Sequence, residues 1–99
     1  MYKDMLPCGS IVQLTEGEHL VMICGRVVLA EGNDHIFDYM GCFYPDGISG
    51  ADNMLFFDRG AIERVVFIGF QDEDEIDYRS EVLDKLGELK VVDGEIKEA

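Results

Sequence analysis

Five short apolar segments, separated by clusters of turn-forming residues, occupy most of the first 70 residues. The segments are Ser10–Leu14, Leu20–Ala30, Ile36–Tyr44, Asn53–Phe57 and Arg64–Phe70. Short apolar segments between turn signals are typical of β-strands, because a helix needs a longer periodic stretch to bury one face. The sequence therefore predicts five strands joined by short connections.

Three local features indicate how these strands are arranged. Gly25 interrupts the longest segment, and an isolated glycine within a strand marks a bulge or a bend. Tyr44–Gly47 fits a type I turn, with proline at the second position and glycine at the fourth. Asp58 is placed to cap a single helical turn that ends at Ile62. We expect a five-stranded antiparallel meander that curls into a small half-open barrel.

The periodicity changes after residue 70. Apolar residues recur at helical spacings from Asp74 to Leu89, and Glu75–Arg79 and Glu81–Lys85 form acid-before-base pairs four residues apart. These features predict an amphipathic helix over about 74–89, preceded by an acidic linker at 71–75. The fold class is then α+β, mainly β, in a single domain whose β part covers about residues 8–70.

The last residues contain a weak hairpin signal. Val91–Ile96 brackets an Asp-Gly pair, which favours a tight turn. Two strands alone are marginal in water, so we expect residues 90–99 to be frayed unless the hairpin docks.

Acidic residues dominate the charge of the chain. Among its 99 residues, 21 are acidic and eight are basic, giving a net charge of −13, of which residues 71–99 carry −7. Binding to nucleic acids or anionic membranes needs clustered Lys and Arg, so neither is expected. A basic protein partner, or simple solubility, is the natural consequence of this charge.

The apolar runs and the cysteines indicate a cytoplasmic protein. No run approaches the roughly 18 residues of a membrane span, and the N-terminus lacks a hydrophobic signal core. Cys8, Cys24 and Cys42 are odd in number and widely spaced, which fits neither a disulfide framework nor a zinc knuckle. We interpret all three as small buried thiols.

Searches for reactive groups give weak candidates. His19 and His35 lie in polar turns without metal-ligand spacing around them. Asp38 could orient His35 as a base, but Ser10, the nearest candidate nucleophile, lacks the glycine-flanked elbow of serine hydrolases. The glycines at 41, 47 and 50 lack the Lys-Ser/Thr of a phosphate loop, and the acidic run at 72–75 lacks EF-hand spacing. The sequence therefore predicts no catalytic residue, no metal and no cofactor.

Several stretches in a fixed order carry a family resemblance. They are Leu6–Ser10, Gly25-Arg26, Phe37–Gly47 and Val66–Glu73, and the most specific is Asp-Tyr-x-Gly-Cys-x-Tyr-Pro-x-Gly at 38–47. Over about residues 5–86 the chain resembles domain-of-unknown-function family 4176, small acidic proteins of Gram-positive bacteria. Cys8 replaces an aliphatic residue and Phe70 a tyrosine of that family, and both are expected to be core substitutions.

The resemblance implies a function that composition does not. Members of the family tend to be encoded beside type VII secretion machinery and its LXG-domain toxins, which implies an accessory, targeting or chaperone role. We therefore expect a non-enzymatic module that binds an LXG toxin or a secretion component. An immunity protein that masks a basic toxin site and an uncharacterised enzyme are the alternatives. The candidate partner contacts are Tyr44, Pro45, Asp46, Gly47, Phe56, Phe57, Asp72, Glu73, Asp74 and Glu75.

Overall fold

The computed structural model describes residues 5–30, 32, 34–86 and 89–98, and it confirms the predicted class. The fold is mainly β, with a five-stranded antiparallel sheet followed by one short helix. The strands of the sheet are β1 (Ile11–Leu14), β2 (Leu20–Leu29), β3 (Ile36–Tyr44), β4 (Met54–Phe57) and β5 (Ile62–Phe67). The bounds of β1 to β4 agree with prediction within one residue, whereas β5 begins two residues earlier and ends three earlier.

The strand order is β4-β3-β2-β1-β5, so β1 to β4 form the predicted meander and β5 returns to pair with β1. The two edge strands, β4 and β5, are joined by residues 58–61 alone, which contain the 3₁₀ turn Arg59–Ala61. Five Cα steps reach at most about 17 Å, whereas four strand spacings in a flat sheet are about 19 Å. The sheet must therefore curl, and because β4 and β5 are not hydrogen-bonded neighbours it stays half open.

The predicted bulge lies in β2. Ile23 pairs with Gly41 and Gly25 with Met40, so Cys24 is the extra residue without a partner in β3. The irregularity is therefore confirmed beside Gly25.

The connection after β3 is closed over five residues, Phe43 to Gly47, where the sequence predicts a four-residue turn over Tyr44–Gly47. The Tyr44-Pro45 peptide bond is cis, and Gly47 has a φ of +79°. The Gly47 amide donates a hydrogen bond to the Phe43 carbonyl oxygen at 2.8 Å, which closes the turn.

Gly47→Val is expected to lower the free energy of unfolding by about 1–2 kcal/mol, because a β-branched residue disfavours the left-handed backbone. A Cβ at Gly47 would meet no atom within 4 Å, so the penalty is conformational. Urea unfolding measures it. Gly50→Val is the matched control, because Gly50 is equally open and has no positive φ. Equal stability of the two variants would contradict the backbone explanation.

The hydrophobic core lies inside the curled sheet. It contains apolar side chains from four of the five strands and from the segments before and after the sheet. Its buried members are Met5, Val12, Val21, Ile23, Tyr39, Phe57 and Leu83. The core therefore depends on the C-terminal segment as well as on the sheet.

The C-terminal segment is helical over a shorter range than predicted. Helix α1 (Glu73–Tyr78) continues as a π turn (Arg79–Leu83), whose Asp84 amide donates to the Arg79 carbonyl oxygen at 2.8 Å. Residues 87–88 and 99 lie outside the described residues. Strands β6 (Leu89–Val92) and β7 (Glu95–Glu98) form the predicted hairpin, and Leu89 packs against the core. The hairpin is therefore docked at its first residue.

Candidate protein-interaction site

The edge strand β5 and the residues after it carry the largest cluster of exposed apolar side chains in the described part of the chain. We call this cluster the β5 surface: Val65, Val66, Phe67, Ile68 and Phe70. Phe67 is 59% exposed and Phe70 is 79% exposed. Phe70 was expected in the core, and that prediction is wrong. A run of this kind is unusual, because exposed apolar residues on folded domains are generally scattered.

The burial of β5 does not alternate, and its pairing with β1 is irregular. Ile11 pairs with Phe67 and Val12 with Val65, so Val66 has no partner in β1. A bulge of this type breaks the two-residue alternation that would otherwise turn every second side chain toward the core. Glu63 occupies a second such position.

The backbone that follows β5 is fixed. The Gly69 amide donates a hydrogen bond to Ser10 Oγ at 2.9 Å, and both groups are buried. An added Cβ at Gly69 would lie 2.9 Å from Gly9 C and from Ser10 N, so only glycine fits against that backbone. Phe70 is therefore presented to solvent by an anchored chain.

The acidic run begins directly after this anchored segment. Asp72 caps α1, with its Oδ1 accepting from the Glu75 amide at 3.0 Å, and Glu73 and Asp74 are exposed. Three predicted contacts, Asp72, Glu73 and Asp74, thus lie at the border of the β5 surface. Their carboxylates are placed to meet a basic group on anything that covers it.

Glu75 has a different role. Its two carboxylate oxygens each accept from Arg26, with both Nη–Oε distances at 2.8 Å, and the two side chains are only 7% and 12% exposed for Arg26 and Glu75. The Arg26 guanidinium also lies 5.3 Å from the centroid of the Tyr78 ring. Burial acts to lower the pKa of Arg26, but the Glu75 hydrogen bonds and charge outweigh it and raise that pKa. Glu75 therefore holds α1 to β2, and its predicted partner contact is replaced by this ion pair.

The predicted ion pair between Glu75 and Arg79 is absent among the described contacts. Arg79 instead donates to the Met5 carbonyl oxygen at 3.1 Å and to Gln71 Oε1 at 3.2 Å. The predicted Glu81–Lys85 pair is present, with Nζ 2.8 Å from Oε2.

The remaining predicted contacts lie at the end of β3, at the opposite end of β2 from Arg26 and its bound Glu75. Tyr44, Pro45 and Asp46 are exposed, and Gly47 is partly buried. They follow β3 close to a cavity of about 360 Å³ that Leu14, Val21, Phe43 and Leu55 line together with the turn at 15–19. The structure therefore divides the predicted site between two ends of the molecule.

The two phenylalanines of β4 differ in how far they are buried. Phe56 is partly buried, with its ring centroid 5.8 Å from that of Phe37. Phe57 is 5% exposed within the core, so its ring is not accessible to a partner and that prediction is corrected.

The histidine that the sequence singled out pairs with an unforeseen carboxylate. His35 Nε2 lies 2.7 Å from Asp58 Oδ2, while Asp58 Oδ1 accepts from the Asp38 amide at 3.0 Å. Asp58 makes no side-chain bond to the 3₁₀ turn that follows it, so the predicted cap is wrong. Asp38 Oδ2 accepts from the Arg59 backbone and side chain at 3.0 and 3.2 Å. These contacts tie the β4–β5 link to β3.

The three thiols differ in environment. Cys42 is buried, and its Sγ lies 3.6 Å from Sγ of Cys24, which is partly buried. Cys8 is exposed, so the expectation that all three are buried holds fully for Cys42 and is wrong for Cys8. Burial, followed by the hydrogen bond with Cys42, raises the pKa of Cys24 to about 11. Sequence spacing could not indicate the 24–42 pair, because strand register brings the two residues together.

Cys8 is expected to react quickly with an aromatic disulfide reagent, whereas Cys24 and Cys42 react slowly until the chain unfolds. With a pKa of about 11, roughly one Cys24 thiol in a thousand is ionised at pH 8, and the thiolate is the reactive form. Absorbance at pH 8 in native buffer and in denaturant measures both phases. Cys8→Ser should remove only the fast phase. A fast phase that survives in this variant would contradict the assignment.

Metal-ligating groups and membrane helices were also sought. Within the described ranges, no group of three or more His, Cys, Asp or Glu side chains is arranged to hold a metal ion. None of the described helices is long and apolar enough to cross a bilayer.

Comparison with protein families gives a match over most of the chain. The sequence model of a domain of unknown function (DUF4176) matches residues 5–78. The chain belongs to the DUF4176 family. The match ends eight residues before the resemblance drawn from the sequence. The matched residues include the five-stranded sheet, the β5 surface and α1, and the match ends before the π turn. No curated protein matches the chain, and no solved structure does.

Proposed function

We propose that this DUF4176 protein is a non-enzymatic binding module that acts in the cytoplasm as an accessory, targeting or chaperone protein for a type VII secreted LXG toxin. The observation that carries the proposal is the β5 surface, whose apolar side chains stand on a fixed backbone beside acidic residues. Contiguous exposed apolar patches mark interaction sites on small domains.

The class of partner follows from charge and from the family. A chain of net charge −13 favours a basic partner surface. The LXG toxin is proposed because proteins that resemble this family tend to be encoded beside such toxins. The toxin would meet this protein before export, which is why the proposal places it in the cytoplasm.

Co-expression with the LXG toxin encoded nearest to its gene tests the proposal. We expect the tagged protein to retain the toxin through purification, and deletion of its gene to reduce toxin secretion while growth is unaffected. A toxin that is not retained would overturn the binding function. Restored growth of toxin-expressing cells, with secretion unchanged, would instead establish the immunity role.

The acidic run is expected to speed association. Replacing Asp72, Glu73 and Asp74 by their amides should leave the fold intact, because Asn is also a good helix cap, and should slow binding to the toxin. Surface-immobilised binding at low and high salt measures the on-rate, whose salt dependence should flatten, since salt screens charges over about 8–10 Å.

A control with the same charge change separates local from global effects. Glu16→Gln, Glu18→Gln and Asp52→Asn remove three exposed carboxylates that are not among the candidate contacts. Equal slowing by both sets would show that the run at 72–74 acts only through net charge.

A further inference from the structure

One edge of the five-stranded sheet is formed by β5. β5 pairs with β1 on one side, and no strand pairs with its other side among the described residues. The backbone amides and carbonyls on that side are therefore open to a further strand. Edge strands are usually blocked by charged residues, proline, bulges or a covering element. Glu63 and Arg64 place charge in the first part of β5, whereas residues 65–70 contain neither charge nor proline.

Exposure along β5 is continuous. Every residue from Glu63 to Ile68 is exposed. An extended backbone cannot direct six successive side chains to one side, even with a bulge, so both sides of β5 are accessible. A helix laid on one face would cover only part of this surface, whereas an added strand has side chains on both of its own faces. The bulges at Glu63 and Val66 twist the edge, so the segment that pairs with it must be short.

The charge of the chain indicates which kind of partner binds the edge of β5. Two copies of a chain with net charge −13 repel each other. A partner segment with Lys or Arg at the end that meets Asp72–Asp74 is instead attracted by the opposite charge. Apolar side chains on the rest of that segment would cover Phe67, Ile68 and Phe70.

We infer that the free edge of β5 binds a short extended segment of a partner protein as an added strand, with basic residues of that segment against Asp72–Asp74. The inference rests on the proposed binding function and specifies its site. Main-chain hydrogen bonds then supply affinity, while the apolar and basic side chains supply specificity.

Hydrogen exchange of the co-purified toxin complex locates the site. We expect the amides of residues 62–70 to exchange more slowly in the complex, with those of β4, the opposite edge, unchanged. Phe67→Ser with Ile68→Ser should weaken toxin binding by about tenfold or more, because buried aromatic anchors dominate such interfaces. Ile48→Ser is the matched control, since Ile48 is equally exposed away from β5. Toxin that binds the double variant as tightly as the control, or protection confined elsewhere, overturns the inference while the binding function stands.

A peptide tests the strand geometry without the toxin. The probe is Lys-Lys-Thr-Val-Thr-Val-Thr-Val with blocked termini, and amide shifts of the isotope-labelled protein report binding. Two variants carry N-methyl groups on either the valines or the threonines. A strand that pairs along one edge uses alternate amides, so one variant should bind about tenfold more weakly and the other like the parent. Equal affinities of the two variants, or a dimer formed through β5 without peptide, overturn the inference.

Discussion

Arg26→Met is expected to lower the free energy of unfolding by about 3 kcal/mol, because it leaves the Glu75 carboxylate buried without its partner. The pair joins β2 to α1 through two hydrogen bonds of 2.8 Å, in a position that solvent barely reaches. Chemical denaturation measures the loss, and hydrogen exchange should show residues 73–83 opening first.

Two variants test whether geometry or charge matters. Arg26→Lys keeps the charge and loses the two-pronged contact, so its stability should lie between those of wild type and Arg26→Met. Lys85→Met breaks the exposed pair with Glu81 and should leave stability close to that of wild type, because solvent screens this pair. If Lys85→Met were as damaging as Arg26→Met, the buried ion pair would not be what anchors the helix.

Gly69→Ala should be comparably destabilising, by about 3 kcal/mol, because the new methyl group overlaps backbone rather than a movable side chain. It would lie 2.9 Å from Gly9 C and Ser10 N, and closer still to the Cys8 carbonyl oxygen. Relief requires the segment after β5 to move, which also disturbs the hydrogen bond to Ser10 and the presentation of Phe70. Thermal unfolding and toxin binding should both decline.

Gly60→Ala is the control for this substitution, because a Cβ at Gly60 meets nothing within 4 Å and Gly60 has no positive φ. Gly60→Ala should leave stability and binding close to wild type. A stable Gly69→Ala protein that still binds toxin would show that the close approach at residue 69 is unimportant.

The strands were predictable because each carries a local signal. β3 matches its predicted bounds since turn residues flank an alternating segment. The predicted bounds of β5 were displaced because residues 65–70 are uniformly apolar and show no periodicity that locates the end of the strand. That end is set by Ser10, which accepts the Gly69 amide 59 residues away in sequence. Such a contact has no local signature.

The candidate site was less predictable for the same reason. The acidic run at 72–74 was identified from sequence because clustered charge is visible without a fold. The apolar part was not, since Phe70 was expected in the core and Phe57 was a candidate contact, whereas Phe70 is exposed and Phe57 is buried. Helical spacing predicted an ion pair between Glu75 and Arg79. The partner is instead Arg26 on β2, which is more buried and better aligned with the carboxylate.

Leu83, which is 1% exposed and belongs to the core, lies five residues beyond the end of the DUF4176 match. The family boundary and the folding unit therefore do not coincide in this protein. A chain cut after Tyr78 would retain every matched residue and lose the side chain that fills one wall of the barrel. We expect a relative with the same sheet to fill that position with a residue from elsewhere in its own chain or from another chain. The region that sequence comparison leaves out is thus where we expect members of the family to differ most in how they complete the fold.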